Sequence, residues 1–390
     1  MYFSTSTTGL GGKIKSFPED FIVEEITEEK RILSANYGII QRIIDSLPRK
    51  RKDYLHFTLV KRNWDTISAL RELTRRLHIS LKRIGYAGNK DKFAITAQRC
   101  SIWKMDVSEV RRIKLKDIII KDFDYSDKKI EIGMLYGNRF TVTIREIPHD
   151  KNEIAAILHE FMKSSEHGIL NYFGIQRFGD KRSVNHLVGK EILKHNFKEA
   201  IRIFLCETDG VEYGKEAREY LARNWGNFKE VLKIFPTHLK PERTIIAHLS
   251  KYPNDYVGAL RKLPKFLRLI FVNSYQSYLF NLTLDKLWEN GMRKNVKVPM
   301  VGYNLKLGED EISCIIKEIM RREGIGLEDF KVKSMPEMSV SGSERDYLFF
   351  PENFEILKIS DNLVKVRFIL KKGCYATTLL RELMKSEDGK

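Results

Sequence analysis

Gly85-Tyr86-Ala87-Gly88-Asn89-Lys90-Asp91-Lys92-Phe93-Ala94-Ile95-Thr96-Ala97-Gln98 sets two glycines ahead of an aspartate that lies between two lysines. Glycine permits tight backbone geometry. The stretch therefore predicts a turn presenting Lys90 and Asp91, leading toward a strand near Arg99 to Trp103. Cationic neighbours favour the charged form of a carboxylate, and a charged carboxylate is what a nucleophile or general base must offer near neutral pH. From composition alone the stretch reads first as a Gly-rich turn whose Lys-Asp-Lys faces water. Two phosphate-binding readings fall away. The order Gly-x-x-x-x-Gly-Lys-[Ser/Thr] of a nucleotide-hydrolysing loop is absent, as is the Gly-x-Gly-x-x-Gly of a dinucleotide fold.

Outward from this turn the patterns alternate between strand and helix. After the turn Ser16-Phe17-Pro18-Glu19-Asp20, Phe21-Ile22-Val23 reads as a short strand, and Tyr54 to Val60 as a second. Asp65 to Leu77 carries Ile67, Leu70, Leu73 and Leu77 at helical spacing, with Asp65 or Thr66 to cap it. Its outer face presents Arg71, Arg75 and Arg76. Ile118 to Phe123, Lys129 to Met134 and Phe140 to Ile144 predict further strands, the last entered through a turn at Tyr136-Gly137-Asn138. Lys151 to Ser165 and Lys181 to Trp225 predict helices, and Pro264 to Trp288 a long one. Leu307 to Ser341 predicts a mixture of short elements, and Arg31 to Leu47 is assigned to neither strand nor helix. Strands return at Phe354 to Ile359 and Leu363 to Leu370, before a closing helix over Ala376 to Lys385. Strands, then helices, then strands is an α/β or α+β order. A helical domain inserted into a sheet domain produces it; two consecutive domains with a mixed C-terminal one are the alternative.

The 390 residues suffice for about two domains. No run of about 18 apolar residues is present to form a membrane span. Met1 to Lys13 lacks the apolar core of a secretion signal, so a cytoplasmic protein is expected. Cys100, Cys206, Cys314 and Cys374 lie far apart without Cys-x-x-Cys or His at ligand spacing. They read as ordinary thiols, with no metal site and no disulfide framework. Sixty-nine Lys and Arg against fifty-two Asp and Glu give a net charge of +17. Such a field draws in polyanions, and nucleic acid is the leading partner. A Lys/Glu-rich surface of the heat-adapted kind and an anionic membrane surface are the competing readings. The basic residues cluster, at Arg49-Lys50-Arg51-Lys52, Lys61-Arg62, Arg71, Arg75-Arg76 and Lys82-Arg83.

Gly85–Gln98 resembles the signature Ala-Gly-x-Lys-Asp-x-x-Ala-x-Thr-x-Gln of the TruD family of tRNA pseudouridine synthases, met at Ala87, Gly88, Lys90, Asp91, Ala94, Thr96 and Gln98. Other motifs follow in family order. Pro18-Glu19-Asp20-Phe21-Ile22-Val23-Glu24-Glu25 is similar to an N-terminal family motif. Gly137-Asn138-Arg139-Phe140 resembles its Gly-Asn-x-Phe. Asn171-Tyr172-Phe173-Gly174-Ile175-Gln176-Arg177-Phe178-Gly179 and Tyr375-Ala376-Thr377 with Leu380-Arg381-Glu382 complete the set. The resemblance spans about Lys13 to Glu382. Lys371 stands where a Pro is expected and Cys374 where Ser is commoner.

The resemblance implies a mixed, largely antiparallel catalytic sheet over residues 1–164 and 346–390, with a TRUD domain inserted over 165–345 and RNA held between them. It implies isomerisation of a uridine in tRNA, at position 13 of the D arm, without cofactor, by a monomer. Asp91 is then the catalytic carboxylate, and Lys90 keeps it charged or ordered. Phe140 stacks on the target uracil, Asn138 shares its strand face, and Glu25 either orients the site or pairs with a lysine. The uridine must leave its stack to be reached. Lys13, Lys15, Arg49, Lys50, Arg51, Lys52, Arg71, Arg75, Arg76 and Arg139 are candidates for phosphate contact, and Arg177 for RNA contact or the domain junction. A non-catalytic RNA-binding protein and a metal-dependent nuclease are the rival functions. The second needs clustered carboxylates, which the sequence does not offer.

Overall fold

The apolar run after Pro18-Glu19-Asp20 becomes strand β1 (Phe21–Ile26), around which the main sheet is organised. In the computed structural model, which describes residues 1–179, 182–208 and 214–385, the eight strands of that sheet all fall in one of two compact units. This unit comprises Ser4–Ile169 and Phe350–Lys390. Its other strands are β2 (Tyr54–Arg62), β3 (Ile84–Tyr86), β4 (Ile95–Trp103), β5 (Ile118–Ser126), β6 (Gly137–Arg145), β11 (Glu352–Ser360) and β12 (Leu363–Lys371). Two-residue strands β7 (Ile169–Leu170) and β10 (Leu348–Phe349) lie where the chain passes from one unit to the other. The sheet order is β11-β12-β6-β1-β4-β2-β5, with β3 paired to β4. Only β1 and β4 run parallel; every other pairing in the sheet is antiparallel. The fold is thus mixed α/β on a largely antiparallel sheet.

Helix α2 (Thr66–Arg76) covers one end of this sheet. Asp65 caps it by accepting from the Ser68 N–H at 2.9 Å. Its Ala69, Leu70 and Leu73 pack with Leu55, Phe57, Leu59, Cys100 and Ile102, all fully buried. Helix α1 (Ile39–Ser46), which the sequence pattern did not declare, lies against the edge strand β5. The short α3 (Val107–Arg111), the capped α4 (Lys151–Ser165) and the closing α13 (Ala376–Met384) complete the unit.

Lys129 to Met134 is an irregular loop, not a strand. Gly133 sits at φ +89, its N–H donates to Ala87 O at 2.8 Å, and Ile130 and Leu135 pack on Ala87. Gly137 and Asn138 are the first residues of β6, not a turn. A Cβ on Gly137 would stand 2.2 Å from Leu370 O, so the glycine is required by close approach of β12.

The other unit, Met1–Phe3 with Leu170–Phe349, is helical. Its long helix α11 (Lys265–Glu289) buries Phe271, Val272, Tyr275, Leu279, Phe280 and Leu284. Against it lies α5 (Asn185–Leu193), whose Gly189 approaches so closely that a Cβ would meet Phe271 O at 2.1 Å. Around these run α6 (Phe197–Cys206), α7 (Lys215–Arg223), α8 (Phe228–Ile234), α9 (Lys240–Leu249), α10 (Tyr256–Arg261) and α12 (Glu311–Glu323), with β8 (Lys297–Met300) paired to β9 (Ser343–Asp346). The expected helical stretch from Lys181 to Trp225 corresponds to α5, α6 and α7, with Lys181 itself outside the described residues.

Candidate active site

Successive side chains of a strand alternate faces, and cross-strand partners share one. Register therefore sorts the candidates. Lys61 pairs with Thr96 and Leu59 with Gln98; Val23 pairs with both Thr96 and Phe140; Glu25 pairs with Asn138. Lys61, Thr96, Gln98, Glu25, Asn138 and Phe140 thus line one face, the same one that α2 covers. Arg139 pairs with Glu24 on the other face. Its guanidinium reaches Glu24 Oε2 at 2.6 Å from Nη2 and 2.7 Å from Nε.

The segment carrying Asp91 lies between β3 and β4 and is held at almost every signature position. Ala87 and Ala94 are buried. The Thr66 hydroxyl donates to Gln98 Oε1 and accepts from the Lys90 N–H, both at 3.0 Å. Gln98 Nε2 donates to Gly88 O at 3.0 Å. The fully buried Lys61 ammonium donates to Trp64 O at 2.6 Å, to Asp91 O at 2.8 Å and to Lys90 O at 3.4 Å. Burial pushes the Lys61 ammonium down to about 8, against the opposing pull of Asp91 and Asp65. The buried Thr96 hydroxyl has no hydrogen-bond partner among the described residues.

The two side chains at the head of the site part company. Lys90 turns inward, and its Nζ stands 2.7 Å from Glu25 Oε2, with both groups almost wholly buried. Glu25 Oε1 also accepts from the Arg99 N–H at 2.9 Å. Asp91 remains accessible, and its Oδ2 accepts from Lys15 Nζ at 2.8 Å. The same ammonium lies 4.4 Å from the centroid of the Phe21 ring. Phe21 meets Phe140 edge-on at 6.0 Å, and Phe140 stacks on Phe368 at 5.5 Å. Phe140 is buried, with 8 % of its surface exposed. Asn138 Oδ1 has no hydrogen-bond partner among the described residues. This face combines an accessible carboxylate, a cation beside it, a planar ring and an unpaired amide oxygen.

The remaining candidates have contacts of their own. Lys13 pairs with Glu146, Arg51 with Asp106 and Lys52 with Asp127, all near the surface. Arg49 donates to the carbonyls of Ile44, Asp45 and Leu47. Arg75 and Arg76 share Glu72, while Lys50 and Arg71 are exposed. Arg177, in the helical unit, donates to Ser277 Oγ at 3.0 Å and lies 5.5 Å from the Phe173 ring. Lys61, which the sequence groups with Arg62 as part of a basic cluster, is instead fully buried and committed to backbone carbonyls, a role that sequence reasoning missed. Among the described residues no cluster of three or more His, Cys, Asp or Glu is arranged for a metal, and no helix is long and apolar enough to cross a membrane.

The family model for tRNA pseudouridine synthase D (TruD) matches residues 1–298 and 290–383. A Methanosarcina mazei protein named probable tRNA pseudouridine synthase D is 35 % identical, over 98 % of this chain and 95 % of its own length. Methanocaldococcus jannaschii probable tRNA pseudouridine synthase D 1 is 37 % identical, over 97 % and 96 %. The crystal structure of a TruD chain from Methanosarcina mazei superposes with a TM-score of 0.77 at 34 % identity, covering 100 % of this chain and 97 % of that one.

Proposed function

The chain belongs to the tRNA pseudouridine synthase D (TruD) family, isomerases that act on tRNA, and from that premise we propose that Asp91 is the carboxylate that isomerises a uridine, at position 13 of the D arm. The observation that carries the assignment is the Asp91 carboxylate itself. It is the accessible acid of a loop otherwise fixed by Lys61, Thr66 and Gln98, and Lys15 stands 2.8 Å from it.

The reaction breaks N1–C1′ and joins C5 to C1′; the proton lost from C5 is balanced by one gained at N1. Asp91 begins it either by attacking C1′ or by removing a sugar proton to give a glycal, and both routes need a charged carboxylate beside the ribose. Lys15 then serves as the carboxylate's counter-ion, and Lys90 with Glu25 as the buried pair that fixes the backbone under it. Phe140 supplies a ring edge or face for the extruded uracil, where aromatic stacking contributes about 1–3 kcal/mol. The unpaired Asn138 Oδ1 suits the imide N–H of that base. Lys13, Arg49, Lys50, Arg51, Lys52, Arg71, Arg75, Arg76, Arg139 and Arg177 are the proposed RNA contacts. We assign catalysis to the sheet unit and an RNA-holding role to the helical unit as an inserted TRUD domain, in a cytoplasmic monomer.

Purified protein mixed with unmodified tRNA should form pseudouridine without additives, and Asp91→Asn should abolish it while still binding the RNA. Undiminished activity of Asp91→Asn refutes the assignment. Tight binding by the wild type with every uridine unchanged would favour a non-catalytic RNA-binding protein.

A further inference from the structure

Helix α1 is mounted inside out. Its polar side holds it to the sheet. Asp45, 3 % exposed, accepts from the N–H groups of Asp122 and Phe123 in β5 at 3.1 and 3.2 Å, and from Gln41 Nε2 at 3.2 Å. Arg49 closes the C-terminal end on three carbonyls at 2.8–3.1 Å. The buried Lys121 ammonium donates to Asn36 O just before the helix. The apolar side faces solvent. Ile39 and Ile40 are each 76 % exposed, Ile43 59 %, Ile44 43 % and Leu47 55 %. A surface helix ordinarily turns such a stripe toward the core, and a contiguous exposed apolar patch marks an interaction site. The chain continues directly into Arg49-Lys50-Arg51-Lys52, and Arg42 on the helix is exposed as well.

We propose that α1 and the basic run after it form a docking platform for the RNA substrate, distinct from the Asp91 loop. The isoleucines meet the flat faces of unpaired or end-stacked bases, and the neighbouring phosphates are met by the exposed Lys50 and by Arg51 and Lys52, which exchange their surface partners Asp106 and Asp127 for them. The inference rests on the tRNA reading above. Charge selects this occupant. A second copy seated on the stripe would bring two Arg49–Lys52 runs together on chains of net charge +17, and like charges repel. An anionic membrane matches the charge, but the helix offers only eight residues, about 12 Å, and is pinned by Asp45. Nucleic acid supplies both complements at once, since bases present apolar faces beside phosphates, and Ile and Leu side chains serve as wedges against base steps elsewhere.

The test is the triple variant Ile39→Gln/Ile40→Gln/Ile43→Gln, with Ile40→Gln alone as a milder companion and thermal unfolding of both as a check on folding. Affinity for in vitro transcribed tRNA is read by fluorescence anisotropy across a salt series. The triple variant should bind about tenfold more weakly with an unchanged salt slope, because apolar contacts release no counterions. Lys50→Gln/Arg51→Gln/Lys52→Gln should instead flatten that slope. Unchanged affinity of the triple variant overturns the proposal. So does loss of self-association in sedimentation, or of binding to phosphatidylglycerol vesicles, with RNA affinity intact. Wild-type protein that neither binds nor modifies tRNA overturns the functional reading as well. Wild type that does both, beside a triple variant that binds equally, overturns this inference alone.

Discussion

Lys15 and Asp91, 76 positions apart in sequence, meet at 2.8 Å between Nζ and Oδ2. The two lysines adjacent to Asp91 do not make this contact: Lys90 is committed to Glu25, and Lys92 is exposed. The carboxylate's cation therefore comes from the segment leading into β1. Because that ammonium also stands over Phe21, whose ring touches Phe140, one side chain links the acid to the aromatic row.

Lys15→Met should lower the single-turnover rate of pseudouridine formation by about tenfold. A hydrogen bond between charged groups contributes roughly 1.5–3 kcal/mol, and the partial exposure of both groups places the effect near the lower end. Lys15→Arg should retain most of the rate. A rise in KM for tRNA with kcat intact would instead make Lys15 a phosphate contact.

Glu25 and Lys90 are nearly inaccessible, so removing one partner leaves the other charge buried. Glu25→Ala should destabilise the fold by about 3–5 kcal/mol in urea unfolding. Glu25→Gln should lose less, since an amide oxygen can still accept from the Arg99 N–H. The double variant Glu25→Leu/Lys90→Met should regain much of the stability but little of the activity, because the backbone beneath Asp91 loses its charged anchor. Full recovery of activity in the double variant would make the pair purely structural.

Lys61 predicts a pH dependence with opposite signs for stability and activity. Burial lowers its ammonium from 10.5 to about 8. Between those values the unfolded chain keeps a proton that the folded chain has released, so stability attributable to Lys61 rises with pH across that window. The full gain is about 3 kcal/mol. Activity should fall over the same range, because a neutral amine has only two N–H groups for the carbonyls of Trp64, Asp91 and Lys90. Urea unfolding of wild type and Lys61→Met from pH 7 to 10.5 checks the first claim: wild type must gain relative to the variant as pH rises. A constant difference contradicts it.

These residues show where sequence reading works and where it stops. Helix α2 was legible because Asp65 and the spacing of Leu70, Leu73 and Leu77 are local signals, and β2 and β12 because their alternation is. Asp91 was legible through its motif. Lys61 was not, because its burial follows from standing opposite Thr96 on β4, a consequence of long-range pairing. Lys15 was legible as a basic residue but not as the partner of Asp91. Lys129 to Met134 mimics a strand in its alternation, but the positive φ of Gly133 and the packing of Ile130 on Ala87 fold it into a loop. Helix α1 is hard to read from sequence although its apolar spacing is local, because the stripe runs into a block of charges and, in the fold, points outward.

The two signature-loop glycines should behave oppositely when given a methyl group. Sequence alone credits both with backbone freedom, but neither has a positive φ, so conformation does not separate them. Crowding does. A Cβ on Gly85 would stand 2.2 Å from Ile130 O and 2.7 Å from Ser101 Oγ, and Ser101 Oγ already accepts from the Ile130 N–H at 3.0 Å. Backbone cannot yield there without shifting the 127–136 loop, so Gly85→Ala should cost about 1–3 kcal/mol or more and disturb the Ala87 side of the site. A Cβ on Gly88 meets nothing within 4 Å, and the bond from Gln98 Nε2 to its carbonyl is unaffected by a side chain. Gly88→Ala should therefore stay within about 0.5 kcal/mol of wild type and keep the loop geometry. If Gly88→Ala abolishes pseudouridine formation while its unfolding curve is unchanged, the empty space above Gly88 is where substrate sits, and the glycine is there to let RNA approach the backbone beside Asp91.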